Sequence, residues 1–297
     1  MDLSIYQNKI EDLKRKQYFL KRKIKNYTII HSIIASIISA TGAFLIYHFD
    51  VDKEAYILLL VPFISILIGY AIYSQYQKHK WLNRIYYPFI LNIVNNESGT
   101  TLNNRLSEKE IKDCLINNKL INKFDNVETF ISFSFETSAG VVNYFYLYVT
   151  RPSGDSSTEI LHGDVFIIPY CGYKEFQLRN DLYKTEGMKN RVYDKNMKIN
   201  TYYPKDIEPF EIEHEEKMKF LHIFNLYTRN HKKHHDRDVI INYNKQYVSV
   251  YGEILLTLKF PKTINEENIE IACENVYKIK NRYEEIIKIL NEKNDRL

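Results

Sequence analysis

The sequence predicts an α+β protein: an N-terminal transmembrane helical hairpin, then a mostly antiparallel cytoplasmic α+β domain, with heptad-bearing helices at both ends. Three observations predict it. Two long apolar runs lie within the first 73 of 297 residues, period-two aromatic and β-branched runs fill the middle, and heptad spacing marks both termini.

Residues 1–26 place Leu3, Tyr6, Ile10, Leu13, Gln17, Leu20 and Ile24 at alternating three- and four-residue steps. That is a coiled-coil-like seam over three repeats, on a helix running straight into the first apolar run. The hairpin is expected over 27–74. Tyr27 to Phe49 holds no Lys, Arg, Asp or Glu across 23 residues, and Ala55 to Tyr73 holds none across 19. A hydrocarbon core ~30 Å thick needs about 20 apolar helical residues, so both runs are long enough to span. The link Asp50 to Glu54 is too short for a folded domain. A signal peptide is disfavoured, because the polar lead is long and no A-x-A site follows the first run. Ser32, Ser36 and Ala40, with Ser39 and Ala43 beside them, form a small-residue face on the first span, and Ser65 and Gly69 repeat the spacing on the second. Such faces let helices approach closely in lipid, within the hairpin or between copies. Pro62 is expected to kink the second span.

Residues 75–126 read as a membrane-proximal helical segment, in which Pro88 interrupts WLNRIYYPFILNIV. Ser107 to Glu110 is a capping box opening a helix to about Leu120. Residues 127–264 read as the antiparallel α+β domain. Strands are expected at Val127–Glu136, Val141–Thr150 and Glu159–Tyr170, the last broken by Gly163, with turns at Ser138–Gly140 and Arg151–Thr158. Weaker strands follow near Tyr173–Leu178 and Met197–Tyr203. A helix over Glu211–Tyr227 presents Phe220, Leu221, Phe224 and Tyr227. A hairpin then pairs Val239–Tyr243 with Tyr247–Tyr251, and a last strand runs from Ile254 to Phe260. Residues 265–297 form the C-terminal helix, whose seam is Ile269, Ala272, Val276, Ile279, Tyr283, Ile286 and Leu290. Each seam serves either pairing between the two helices or copies, or packing on its own neighbours.

Charge fixes the expected orientation. Eight Lys and Arg precede the first run, from Lys9 to Lys25, and Lys78, Lys80 and Arg84 follow the second, whereas the link carries three acids and one Lys. The positive-inside rule places both termini in the cytoplasm and the link outside. Of 41 basic and 37 acidic residues, nine and six precede Lys78, leaving 32 against 31. A domain so balanced is not a nucleic-acid binder by charge, while the N-terminal cluster suits an anionic inner leaflet. The expected partners are therefore membrane lipids and a protein, a second copy included. Cys114, Cys171 and Cys273 are odd in number and widely spaced, as in free cytoplasmic thiols.

The order of parts, with LHGDVFIIPY (Leu161 to Tyr170), FEIEHEE (Phe210 to Glu216) and DVIINYNKQYVSVYG (Asp238 to Gly252), resembles the bacterial family filed as domain of unknown function 3137. Leu161-His162 stands where that family carries Phe before the Gly. The family has no agreed activity, catalytic residue or cofactor, so the resemblance implies architecture only.

No phosphate loop, dinucleotide fingerprint, H-E-x-x-H or G-x-S-x-G occurs, and no catalytic, cofactor-binding or metal residue is assigned. His231, His234, His235, Asp236 and Asp238 are metal-type ligands, but Lys232, Lys233 and Arg237 among them oppose a cation, so a basic turn is the simpler expectation. The chain is thus expected to be a membrane-anchored binding or scaffold module. The alternative is a membrane-bound enzyme, a metal-dependent hydrolase using the His231–Asp238 cluster.

Overall fold

A computed structural model describes residues 3–49, 53–98, 102–103, 106–137, 140–154, 156–169, 174–180, 188–228, 239–252 and 261–291. The chain forms two compact units, residues 1–90 with 259–271 and residues 91–258 with 272–297.

In the first unit α1 runs from Gln7 to His48 after a 3-10 turn at Ser4–Tyr6. Its 42 residues make a rod of about 63 Å at 1.5 Å each. A 3-10 stretch, Lys53–Leu60, leads into α2, Val61–Trp81. Pro62 occupies the first turn of that helix, where no intrahelical partner is lost for want of an N–H. Pro88 does not interrupt its helix: α2 passes through a π-helical turn, Leu82–Tyr86, into α3, Tyr87–Ser98. The Tyr87 N–H reaches back five residues to the Leu82 carbonyl, and this wider turn makes room for the proline ring.

Two helices of this unit are long and apolar enough to cross a membrane, and only 6% of each apolar window is buried. Ile30, Ile33, Ile37, Phe44, Leu58 and Leu67 all point outward. The face that joins α1 to the returning chain is built on Ala35, Ser39 and Gly42. Ala35 is buried, Ser39 Oγ donates to the Leu59 carbonyl at 3.0 Å, and a Cβ added at Gly42 would stand 2.7 Å from Leu59 Cδ2. Tyr27 and Tyr73 stack at 4.0 Å. Packing within the hairpin thus uses this row rather than the expected Ser32–Ser36–Ala40 row, of which Ser36 and Ala40 are exposed.

All seven N-terminal seam positions are buried within the chain. Their neighbours belong to the same unit: the Tyr6 ring meets Phe89 edge-on at 6.1 Å, and Gln17 Nε2 donates to the Pro261 carbonyl at 2.7 Å.

The second unit is built on a nine-stranded sheet: β1 (Leu102–Asn103), β2 (Asn126–Thr137), β3 (Gly140–Ser153), β4 (Ser156–Pro169), β5 (Phe176–Arg179), β6 (Met188–Asp194), β7 (Ile199–Pro204), β8 (Val239–Tyr243) and β9 (Tyr247–Gly252). Strand order is β1-β2-β3-β4-β9-β8-β5-β7-β6, and each described pairing is antiparallel. The short β1 and the polar β6 were not anticipated from sequence. Gly163 does not break its strand; it pairs with Leu147 in an unbroken β4. Gly154, at φ +59°, supplies the left-handed residue of the β3–β4 turn. The strand expected at Ile254–Phe260 lies outside the described residues.

The capping box forms. Ser107 Oγ accepts from the Glu110 N–H, and Glu110 Oε2 accepts from the Ser107 N–H at 2.7 Å. It opens α4, Glu108–Asn117, which stops three residues before the expected Leu120 as Lys119 turns to φ 53°. Ile111 and Leu115 of α4 pack on Phe145, Leu147, Val149, Val165, Ile167 and Ile240, closing one face of the sheet. The α4 terminus is tied to the β8–β9 hairpin through Asn118, whose Oδ1 accepts from Asn244 Nδ2 at 2.8 Å and Ser249 Oγ at 3.0 Å. From the opposite face come α5, His214–Thr228, and the part of α6, Glu266–Asn291, from Ala272 onward. Of the second seam, six positions are buried and Tyr283 is half-buried.

Candidate functional site

Side chains alternate across a strand, so Tyr144, Tyr146 and Tyr148 of β3 share one face. The register sets Phe166, Asp164 and His162 of β4 beside them in that order. This is the face that α5 and α6 partly cover, and its two halves differ in chemistry.

The inner half is closed around a charge. Asp164 is fully buried; its Oδ1 accepts from Tyr144 OH at 2.6 Å and its Oδ2 from Arg282 Nη1 of α6 at 2.9 Å. Burial pushes its carboxyl up to about 6, although Arg282 and the Tyr144 hydroxyl both pull it down. Burial, with the Asp164 charge, holds the Tyr144 phenol well above its usual range. The Arg282 guanidinium lies 5.3 Å from the centre of the Tyr227 ring, a cation–π contact with α5. That ring lies on Gly252, the register partner of Asp164: a Cβ at position 252 would meet ring carbons at 2.1 Å. The Tyr227 hydroxyl is buried with no hydrogen-bond partner among the described residues.

The outer half is open. The His162 side chain is 34% exposed and stands among Tyr148, met edge-on at 5.3 Å, Tyr146 at 6.0 Å and Phe130 at 6.4 Å. Tyr146 OH is 3.3 Å from His162 Nε2, and Glu159 Oε1 is 4.0 Å from Nδ1. Tyr251 OH accepts from the His162 backbone N–H at 3.0 Å and holds the strand at this point. Glu128 lies opposite Tyr148 on β2 and adds a second carboxylate to the rim. Aromatic walls with two acids at the edge suit a cationic side chain, by cation–π attraction and charge together.

The candidates from sequence fall elsewhere. The His231–Asp238 cluster and Cys171 lie outside the described residues. Cys273 is buried, and burial raises the half-buried Cys114 thiol to about 11, so at neutral pH it is not a nucleophile. Among the described residues no group of three or more His, Cys, Asp or Glu is placed to hold a metal ion. The face built by His162 and Asp164 was missed, although its signal stands in LHGDVF as H-x-D in a strand next to Tyr144, Tyr146 and Tyr148. Comparison with protein families, with curated proteins and with solved structures finds no match.

Proposed function

We propose that the protein is a membrane-tethered binding module that spans the bilayer twice. In this reading its termini are cytoplasmic, and the sheet unit offers the open Tyr148–His162 face to a cationic segment of a protein partner. The observation that carries the tether is the outward apolar surface of the two long helices, with lysines gathered at one end. In water that surface would be an aggregation site, whereas in lipid it is solvated. The lysine-rich end then faces the anionic cytoplasmic leaflet. Burial of the seams within one chain supports their use as internal packing rather than as contacts between copies.

The test is affinity capture of the full-length protein from its own membranes, with co-purifying proteins and metals identified. A stoichiometric partner lost in His162→Ala and Tyr148→Ala supports the module. Stoichiometric metal with no partner overturns it in favour of a metal-dependent enzyme.

A further inference from the structure

In the first unit a cleft of about 930 Å³ opens between α1 and α2. One end is rimmed by Lys21, Lys25, Lys78 and Lys262, and among the described residues no Asp or Glu lines it. The walls turn apolar along α2, from Ser74 through Tyr70 to Leu67, Ile66 and Phe63. Fifteen residues separate Lys78 from Phe63, about 22 Å at 1.5 Å each, so the cleft is cationic at one end and apolar at the other. It is continued along α1 by a shallower groove of about 540 Å³ that shares Thr28, Ile29 and Ser32 and runs past Ser36 to Ala40. The small row that does not serve the hairpin contact is the floor of this groove. Two hydroxyls along it are satisfied by their own helix: Thr28 Oγ1 donates to the Ile24 carbonyl at 3.1 Å and Ser36 Oγ to the Ser32 carbonyl at 2.9 Å. What they leave is a shallow groove on the surface of α1 from Thr28 to Ala40, about 18 Å long and close to the extended length of a fatty acyl chain.

We propose that this cleft is the binding site for one anionic phospholipid, whose phosphate headgroup lies among the four lysines and one acyl chain along the Ser32–Ser36–Ala40 groove. The proposal rests on the membrane-tethered reading and narrows it from attraction to a leaflet to a defined site. Charge complementarity commits it to an anionic lipid. Lys21 Nζ already donates to the Lys262 carbonyl, which holds two rim residues together, and an ammonium has donors to spare for a phosphate oxygen. A zwitterionic headgroup would bring its own ammonium against the rim. A soluble phosphate would meet the lysines but leave the groove empty.

The experiment is native mass spectrometry of the full-length chain in detergent, titrated with phosphatidylglycerol or phosphatidylcholine. The expected result is one retained phosphatidylglycerol per chain, held at least tenfold more tightly than phosphatidylcholine and not displaced by glycerol 3-phosphate. Changing Lys21, Lys25, Lys78 and Lys262 together to Gln should weaken retention at least tenfold. Changing Arg22, Lys23, Lys80 and Arg84 to Gln removes the same charge outside the cleft and should alter it less than twofold. Ser36→Phe, exposed on α1, should weaken retention about fivefold by filling the groove, and it carries the test alone if the quadruple variant misfolds. Equal loss in both quadruple variants, no loss in either, indifference to Ser36→Phe, or displacement by glycerol 3-phosphate would each overturn the site. Alkaline extraction of the membranes separates the two levels: a chain that peels off refutes the tether itself, whereas an integral chain without selective retention refutes only the site.

Discussion

Replacing Asp164 by Asn should flatten the pH dependence of the sheet unit. The carboxyl titrates near 6 in the folded chain against an ordinary 3.8. Between those values the native state keeps a proton that the unfolded state has lost. The contribution is therefore fully present below about pH 3.8 and is lost as pH rises through 6. A shift of about two pK units corresponds to roughly 3 kcal/mol of opening free energy lost between pH 4 and pH 7.5. Asn keeps the shape and cannot ionise, so the loss should vanish. Arg282→Met removes the cation that holds the carboxyl down, so Asp164 should keep its proton to higher pH and the loss should shift upward from 6, with a cost larger at pH 7.5 than at pH 4. Amide hydrogen exchange on the full-length protein reads this locally, because β3, β4 and β9 can be followed separately from the helical hairpin. Correction for intrinsic exchange at each pH leaves the opening free energies. Parent and Asp164→Asn proteins with the same change between pH 4 and pH 7.5 would refute the assignment of this titration to Asp164.

Other consequences can be checked with the same protein. Gly252→Ala should lower protection of β9 and α5 by about 1–3 kcal/mol, because its Cβ would enter the Tyr227 ring, and Tyr227→Leu should restore part of it. Tyr227→Phe should be neutral or stabilising by up to ~1 kcal/mol in the same exchange measurement, since it removes a buried hydroxyl without a described partner. Leu13→Glu and Ile279→Glu should each sacrifice the protease resistance of their own helix while mass photometry shows no change in particle mass, because both side chains are buried within one chain; exposed Lys16→Glu should do neither. A Cys at position 51 should react with a membrane-impermeant maleimide in intact cells or spheroplasts, and one replacing exposed Glu108 only after lysis. Cys114 itself is a poor reporter, for its half-buried thiol stays protonated at neutral pH.

The long helices were legible because a helix long and apolar enough to cross a membrane is apolar on nearly all sides, and that appears in composition alone. Strands β2, β3, β4, β8 and β9 were legible because aromatic and β-branched residues crowd runs bounded by Gly and Asn. By contrast β6, MKNRVYD, lies at an edge of the sheet, with β7 its one strand neighbour among the described residues, and edge strands carry more polar side chains. What a proline does depends on where in the helix it falls. Both Pro62 and Pro88 lie in helices, but the first falls in an opening turn and the second just after a widened one. The small residues posed a choice that spacing does not settle. Rows Ser32–Ser36–Ala40 and Ala35–Ser39–Gly42 stand two or three residues apart on one helix, and Leu59, through its carbonyl and its side chain, and the ring of Tyr73 decide which row is packed.

His162 and Asp164 show where the reading of a strand stops. Period two puts them on one face from sequence alone, and nothing local distinguishes them further. Their fates diverge because α6 brings Arg282, 118 residues later, over Asp164 while leaving His162 one-third exposed. The same alternation therefore yields a sealed ionic contact at one position and an open aromatic-walled imidazole at the next. The first is a matter of stability, since it is closed to any ligand. The second is the face to which the proposed function assigns a partner, because exposure, aromatic walls and the carboxylates of Glu128 and Glu159 coincide there. Substitutions at Asp164 should thus move the stability of the domain and leave partner capture intact wherever it remains folded. Those at His162 and Tyr148 should do the reverse.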